Sequence, residues 1–127
     1  MGKTMVKKES FARNLLRIEV EEKKDSIVVS WSGKSVDREP GKFITPILVN
    51  VIRKSSGLNK KVILDFRALA YMNSSSITPV IKILERARRG RTQIRVVYRK
   101  SLKWQDLSFS ALQIFRTKDR RVEIKGL

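Results

Sequence analysis

One stretch, from Lys61 to Ser76, limits what this chain can become. An apolar run, Val62-Ile63-Leu64, reaches Asp65, a short turn follows, and three consecutive serines open an amphipathic segment from Ile77 to Arg89. A buried strand that feeds a helix suits that order: β-branched residues, turn chemistry, then apolar residues at helical spacing. Ile77, Val80, Ile81, Leu84 and Ala87 form the apolar stripe, and Lys82, Glu85, Arg86 and Arg89 lie elsewhere on the wheel. Pro79 lacks an N–H and is expected in the first turn. That sets the cap at Ser75 or Ser76, leaves Ser74 just outside the helix, and lets Gly90 end it. A helix N-terminus carries unpaired N–H groups and a partial positive charge. It can hold an added anion, such as a phosphoryl group on one of its own serines.

The rest of the chain repeats the theme. Ile44-Thr45-Pro46-Ile47 and Ile77-Thr78-Pro79-Val80 stand 33 residues apart, as do Gly57 and Gly90. Phe43 to Ser56 is therefore a first helix, begun near Gly41 to Phe43 and stopped by Ser55-Ser56-Gly57. Its apolar face holds Phe43, Ile44, Ile47, Leu48, Val51 and Ile52. Ahead of it, Leu15 to Glu22 and Ile27 to Trp31 alternate as strands around the Lys23-Lys24-Asp25 turn, a predicted hairpin, and Ser32 to Lys42 is a predicted loop. After it come strand Lys61 to Phe66, the serine helix, and strand Thr92 to Arg99 with Ile94, Val96 and Tyr98 on one face. A third helix, Leu102 to Phe115, has Leu107, Ala111, Ile114 and Phe115 as its predicted inner side, and Val122 to Lys125 is a last short strand or an extended tail. Strands alternating with helices imply a single α/β domain over residues 15–127, preceded by a flexible basic arm over 1–14. The sheet is expected to be mixed and mostly parallel, of four to five strands, with three or more helices.

Composition removes function classes. At 127 residues and 41% hydrophobic content the chain can bury one core. It has neither cysteine nor histidine. That excludes disulfides, thiolate chemistry and a Ser-His-Asp triad, and disfavours zinc. No metal or other cofactor is expected, and the protein is read as not an enzyme. Apolar runs are too short to span a membrane, the first residues lack the apolar core of a secretory signal, and the expected location is the cytoplasm. Gly2-Lys3-Thr4 lacks the upstream glycine and strand of a phosphate-binding loop, and Val6 stands where a myristoylation signal wants Ser or Thr. The formal charge is +17, and residues 86–127 hold 13 Lys/Arg against 3 Asp/Glu.

Val-Ile-Leu-Asp-Phe, a linker, Tyr-Met-Asn-Ser-Ser-Ser-Ile and a helix together resemble the central element of STAS domains, the family of bacterial anti-sigma factor antagonists. The likeness runs from about Ile27 to Phe115. The family's pattern is a strand ending in Asp-Leu or Asp-Phe, followed by a phosphorylation segment close to Met-Asp-Ser-Ser-Gly. By that match Ser74 falls on the phosphorylated serine, Asn73 replaces the usual aspartate, and Ser76 stands where glycine is usual. The resemblance implies protein binding gated by a serine kinase and a phosphatase. The partner would be an anti-sigma factor with serine kinase activity or, in a branch with Asn-Ser-Ser segments to which this sequence is nearer, a diguanylate cyclase. The expected contact surface is Asn73, Ser74, Ser75 and Ser76, the exposed side of the following helix (Thr78, Lys82), and the loop before the first helix (Asp37, Arg38, Lys42).

Each candidate has a plainer reading. Serine is a preferred helix cap, although capping needs one serine and not three. Asp65 ends a strand, where it can bond turn amides, and no second carboxylate forms a catalytic pair with it. Arg86, Arg88, Arg89, Arg91, Arg95 and Arg99 form a basic tract that is either a solvated face or, in the alternative function, a nucleic-acid contact. Trp104 is core or a partner anchor, with core favoured. A nucleotide-binding domain ranks last because no glycine-rich loop exists.

Overall fold

The computed structural model describes residues 7–127; the positions weighed above within 1–6 lie outside the described residues. Six strands form one sheet in chain order. β1 (Lys7–Arg13), β2 (Leu16–Glu22) and β3 (Ser26–Ser35) make an antiparallel meander. β4 (Lys61–Met72), β5 (Ile94–Tyr98) and β6 (Val122–Gly126) then add in parallel, one beside the next. The crossovers are α1 (Gly41–Leu58), α2 (Ser74–Arg89) and α3 (Lys103–Ser110), the last continued by a 3₁₀ turn over Ala111–Phe115. Right-handed crossovers that all step the same way along a sheet put their helices on one face. Burial agrees with that arrangement. Ile27, Val29, Trp31, Val62, Leu64, Phe66, Ile94 and Val96 are buried with the helices' apolar faces. Their neighbours Val28, Ser30, Ile63, Asp65 and Arg95 are only half-buried on the other face. Trp31, Phe66 and Phe109 stack through the middle of the core, with ring centroids 4.7 and 4.5 Å apart.

Four expectations change. The sheet has six strands because residues 7–13, expected to belong to a flexible arm, pair along the whole of β2. Their alternation is hard to see: Phe11 is the one large apolar residue among charged ones, a composition that suits an edge strand. β3 and β4 both outrun their predicted ends, so much of the expected loop after Trp31 and the expected turn after Asp65 is sheet. Register shifts between Ser30 and Ser32 and between Gly33 and Lys34 give β4 two extra residues. Phe66, Leu69 and Met72 therefore face the core at a spacing of three, which conceals a strand from any search for period two. α1 runs through Gly57 and ends at Asn59, whose left-handed φ of 54° supplies the cap expected of glycine. Finally, Leu107, Ala111 and Ile114 are exposed and Phe115 is half-buried, whereas Gln105, Phe109 and Leu112 are buried; spaced four and three apart they form one helical face, which a polar residue at 105 hides from an apolar count. Trp104 packs beside Phe109 at the core margin.

Candidate functional site

The C-terminal ends of the parallel strands carry the serine segment. Asn73, not Ser75 or Ser76, is the N-cap of α2, so Ser74 is the first helical residue and does not stand outside the helix. Asparagine caps well because its side-chain oxygen takes the N–H three residues on, here that of Ser76 at 3.1 Å. Pro79 and Pro46 are each the sixth residue of their helix, one turn later than expected. Each helix gives up one i→i−4 bond as a result.

Asn73 is held from every side. Its backbone N–H donates to the Ser35 carbonyl at 3.0 Å, and its Nδ2 donates to the Asp37 carbonyl at 2.9 Å. The Ser76 hydroxyl donates to Asn73 Oδ1, so the 2.6 Å bond between the Ser35 and Ser76 hydroxyls has Ser35 as donor. Ser35 and Ser76 are buried. This clasp fastens the loop after β3 to the start of α2. A methyl added to Gly41, at the start of α1, would lie 3.8 Å from Pro79, so the two helix N-termini run close together.

The three serines thus have different fates. Ser74 and Ser75 are exposed, and Ser76 is locked inside. Ser74, Thr78 and Lys82 are exposed at intervals of four along one stripe of α2. Arg38 and Lys42 are exposed on the neighbouring loop and helix start, Lys42 paired with Glu39 at 3.2 Å. Asp37 is half-buried, and its carboxylate is occupied by Arg13 at 3.1 Å and by the Asn14 amide. It fixes the loop, leaving Arg38, Glu39 and Lys42 as the loop's outward charges.

Sequence reading missed two features of this end. Leu15, Val36 and Tyr71 are large apolar side chains exposed here, on the β1–β2 turn, the loop after β3 and the end of β4. Apolar residues inside turns are their only sequence signal. Gln105 is fully buried, and its amide donates to the carbonyls of Phe66 (2.8 Å) and Leu69 (2.9 Å) while accepting from Arg99 N–H (2.7 Å). It satisfies the carbonyls that the bulged part of β4 leaves unpaired, and so supports the strand that delivers Asn73.

Asp65 lies within β4, not at its end, on the open face of the sheet. Burial opposes its charge, but hydrogen bonds from the Arg67 side chain and backbone, and the Arg67 charge, hold its carboxyl below the usual range. It is a structural ion pair.

The basic tract is not one surface. Arg95 is bound to Glu123 on the open face at 3.1 Å, and Arg99 reaches the Arg67 carbonyl at the serine end. Arg86, Arg88, Arg89 and Arg91 lie at the opposite end, around the C-terminus of α2.

This combination defines a class by its fold: a single α/β domain, with helices on one face of a mixed sheet, whose second βα junction presents serines at a helix N-terminus. Among solved structures, the chain is similar to an anti-sigma factor antagonist from Mycobacterium paratuberculosis, with a TM-score of 0.61 and 20% identity over 84% of this chain and 90% of that one. At that identity the likeness is one of fold. An uncharacterized protein of the DUF3478 family with a SpoIIAA-like fold, from Shewanella loihica PV-4, matches with a TM-score of 0.49 and 16% identity, over 100% of this chain and 90% of that one. No protein-family model and no curated protein matches the sequence. Among the described residues no helix is long and apolar enough to cross a membrane.

Proposed function

We propose that this protein is a non-enzymatic, phosphorylation-gated binding regulator of a bacterial partner-switching pathway. Unphosphorylated, it binds an anti-sigma factor with serine kinase activity or a diguanylate cyclase in the cytoplasm; phosphate on Ser74, placed by a serine kinase and removed by a phosphatase, releases it. The observation that carries the reading is the exposure of Ser74 at the first position of α2, on one stripe with Thr78 and Lys82, at the end of the sheet that also exposes Leu15, Val36 and Tyr71. Exposed aromatic and aliphatic anchors beside polar groups are the ingredients of a protein interface.

The position also suggests how the gate works. A phosphate adds a charge of about −1.5 to −2. At the start of a helix that charge is stabilised by the local dipole, so α2 stays folded. The change is then in the surface offered to the partner, which an acidic or desolvated partner surface would reject. Ser75 is the exposed neighbour that competes for modification, and the buried Ser76 would need the clasp opened first.

The test compares wild type, Ser74→Ala and Ser74→Asp in capture of partners from a native lysate, with phosphosite mapping of the bait. Wild type and Ser74→Ala should retain the same regulatory protein, Ser74→Asp should lose it by at least tenfold, and Ser74 should carry phosphate in part of the bait. Equal capture by all three would sink the reading.

A further inference from the structure

The fold gathers positive charge at the end remote from Ser74. Ile27, Val62, Ile94 and Val122 are paired in one row across β3 to β6, so the segments that enter these strands lie side by side. Lys61 N–H donates to the Asp25 carbonyl, Val62 N–H to Gln93 and Ile94 N–H to Arg121, which ties the segments edge to edge. Residues 23–25, 59–61, 86–93 and 116–121 together hold 12 Lys/Arg against 2 Asp/Glu. The segments at the serine end, 14–15, 36–42, 73–75 and 99–103, hold 5 against 2.

The charge at the remote end is available. Among the described residues, Arg86, Arg88, Arg89, Arg91 and Arg120 have no carboxylate within ion-pair distance, and all five are exposed. Helix C-termini repel anions, but here that repulsion is covered. Arg121 donates to the carbonyls of Ala87, Arg88 and Gly90 at the end of α2. A groove of about 540 Å³ runs between the end of α1 and the entry to β5, lined by Asn59, Lys60, Arg91, Gln93 and Arg121 among others.

From this geometry we propose that the remote end is a binding surface for the phosphate backbone of duplex nucleic acid, engaged without base reading. Arginine forks match phosphate oxygens in pairs. Single strands are held by stacking on aromatics, and the exposed aromatic among the described residues, Tyr71, lies at the serine end. Insertion into a lipid surface needs a cluster of apolar side chains, and the large exposed ones near this end are Leu58, at the end of α1, and Ile114, on the 3₁₀ turn beside Arg88. Paired phosphate rows remain the polyanion that this surface fits. The surface is separate from the proposed partner face and stands or falls without it.

The experiment is fluorescence anisotropy of a short, mixed-sequence DNA duplex titrated with the full chain between about 50 and 200 mM salt. Engagement by the five free arginines gives a log–log salt slope of about −4.5. Arg89→Ala with Arg91→Ala should make the slope shallower by about 2. Lys100→Ala with Lys103→Ala, which removes the same charge at the serine end, should leave it unchanged. Three results overturn the proposal: no duplex binding at the lowest salt, equal slope loss in both double variants, or binding to phosphatidylglycerol vesicles without binding to the duplex.

Discussion

Asn73 holds a position that few residue types could fill. Its carbonyl oxygen accepts from α2 while its amide donates to the loop after β3. Aspartate keeps the acceptor and would even favour the helix N-terminus, but it cannot donate to the Asp37 carbonyl. Asn73→Asp should therefore cost about 1 kcal/mol, the net worth of one hydrogen bond, and Asn73→Ala about 2 kcal/mol or more, because cap and clasp both go. Urea denaturation measures both. Hydrogen exchange should be faster in residues 36–40 of either variant and faster at the start of α2 in the alanine variant alone. Equal stability of wild type and Asn73→Asp would mean that the donor contributes nothing.

At the scale of elements, the supports of this site lie where sequence periodicity is weakest. α2 was legible because Val80, Leu84 and Ala87 keep a helical interval, and β5 because Ile94, Val96 and Tyr98 alternate. The end of β4 was not legible, since its bulges move Phe66, Leu69 and Met72 to a spacing of three. Gln105 was invisible as well: a polar residue early in a helix reads as surface until the carbonyls it meets are known. Gln105→Leu keeps a comparable volume but strands the Phe66 and Leu69 carbonyls. It should cost about 2 to 6 kcal/mol in urea denaturation, with two buried acceptors unpaired at about 1 to 3 kcal/mol each; a loss under about 0.5 kcal/mol would contradict the role. The C-terminus of α2 is pinned by Arg121, which Asp119 orients. Hydrogen bonds from Thr117, from Arg121 N–H and from the Arg121 side chain lower the Asp119 carboxyl from 3.8 to about 2. A depressed folded-state value favours the fold above the unfolded value, and that contribution is lost as pH falls through about 2. NMR titration should find the Asp119 midpoint near 2. In Arg121→Ala it should rise toward 3.8, with faster amide exchange in the last turn of α2.

Across the whole molecule, the parallel strands act as a spacer between two chemically unlike ends. Five residues of β5 span about 16 Å at about 3.3 Å per residue. That exceeds the Debye length of about 8 Å at physiological salt, so charges at one end are screened from the other. The serine end combines one capped helix N-terminus, hydroxyls and exposed apolar side chains; the remote end combines free arginines with a capped helix C-terminus. A charge of +17 is therefore a directional property of the fold and not a uniform coat. If the ends work independently, Ser74→Asp should abolish capture of the regulatory partner and leave the salt slope of duplex binding unchanged. Arg89→Ala with Arg91→Ala should do the reverse. A phosphomimetic that also alters duplex binding would mean that the ends communicate. The Asn73 clasp and α2, which runs from one end to the other, would then be the physical path to examine.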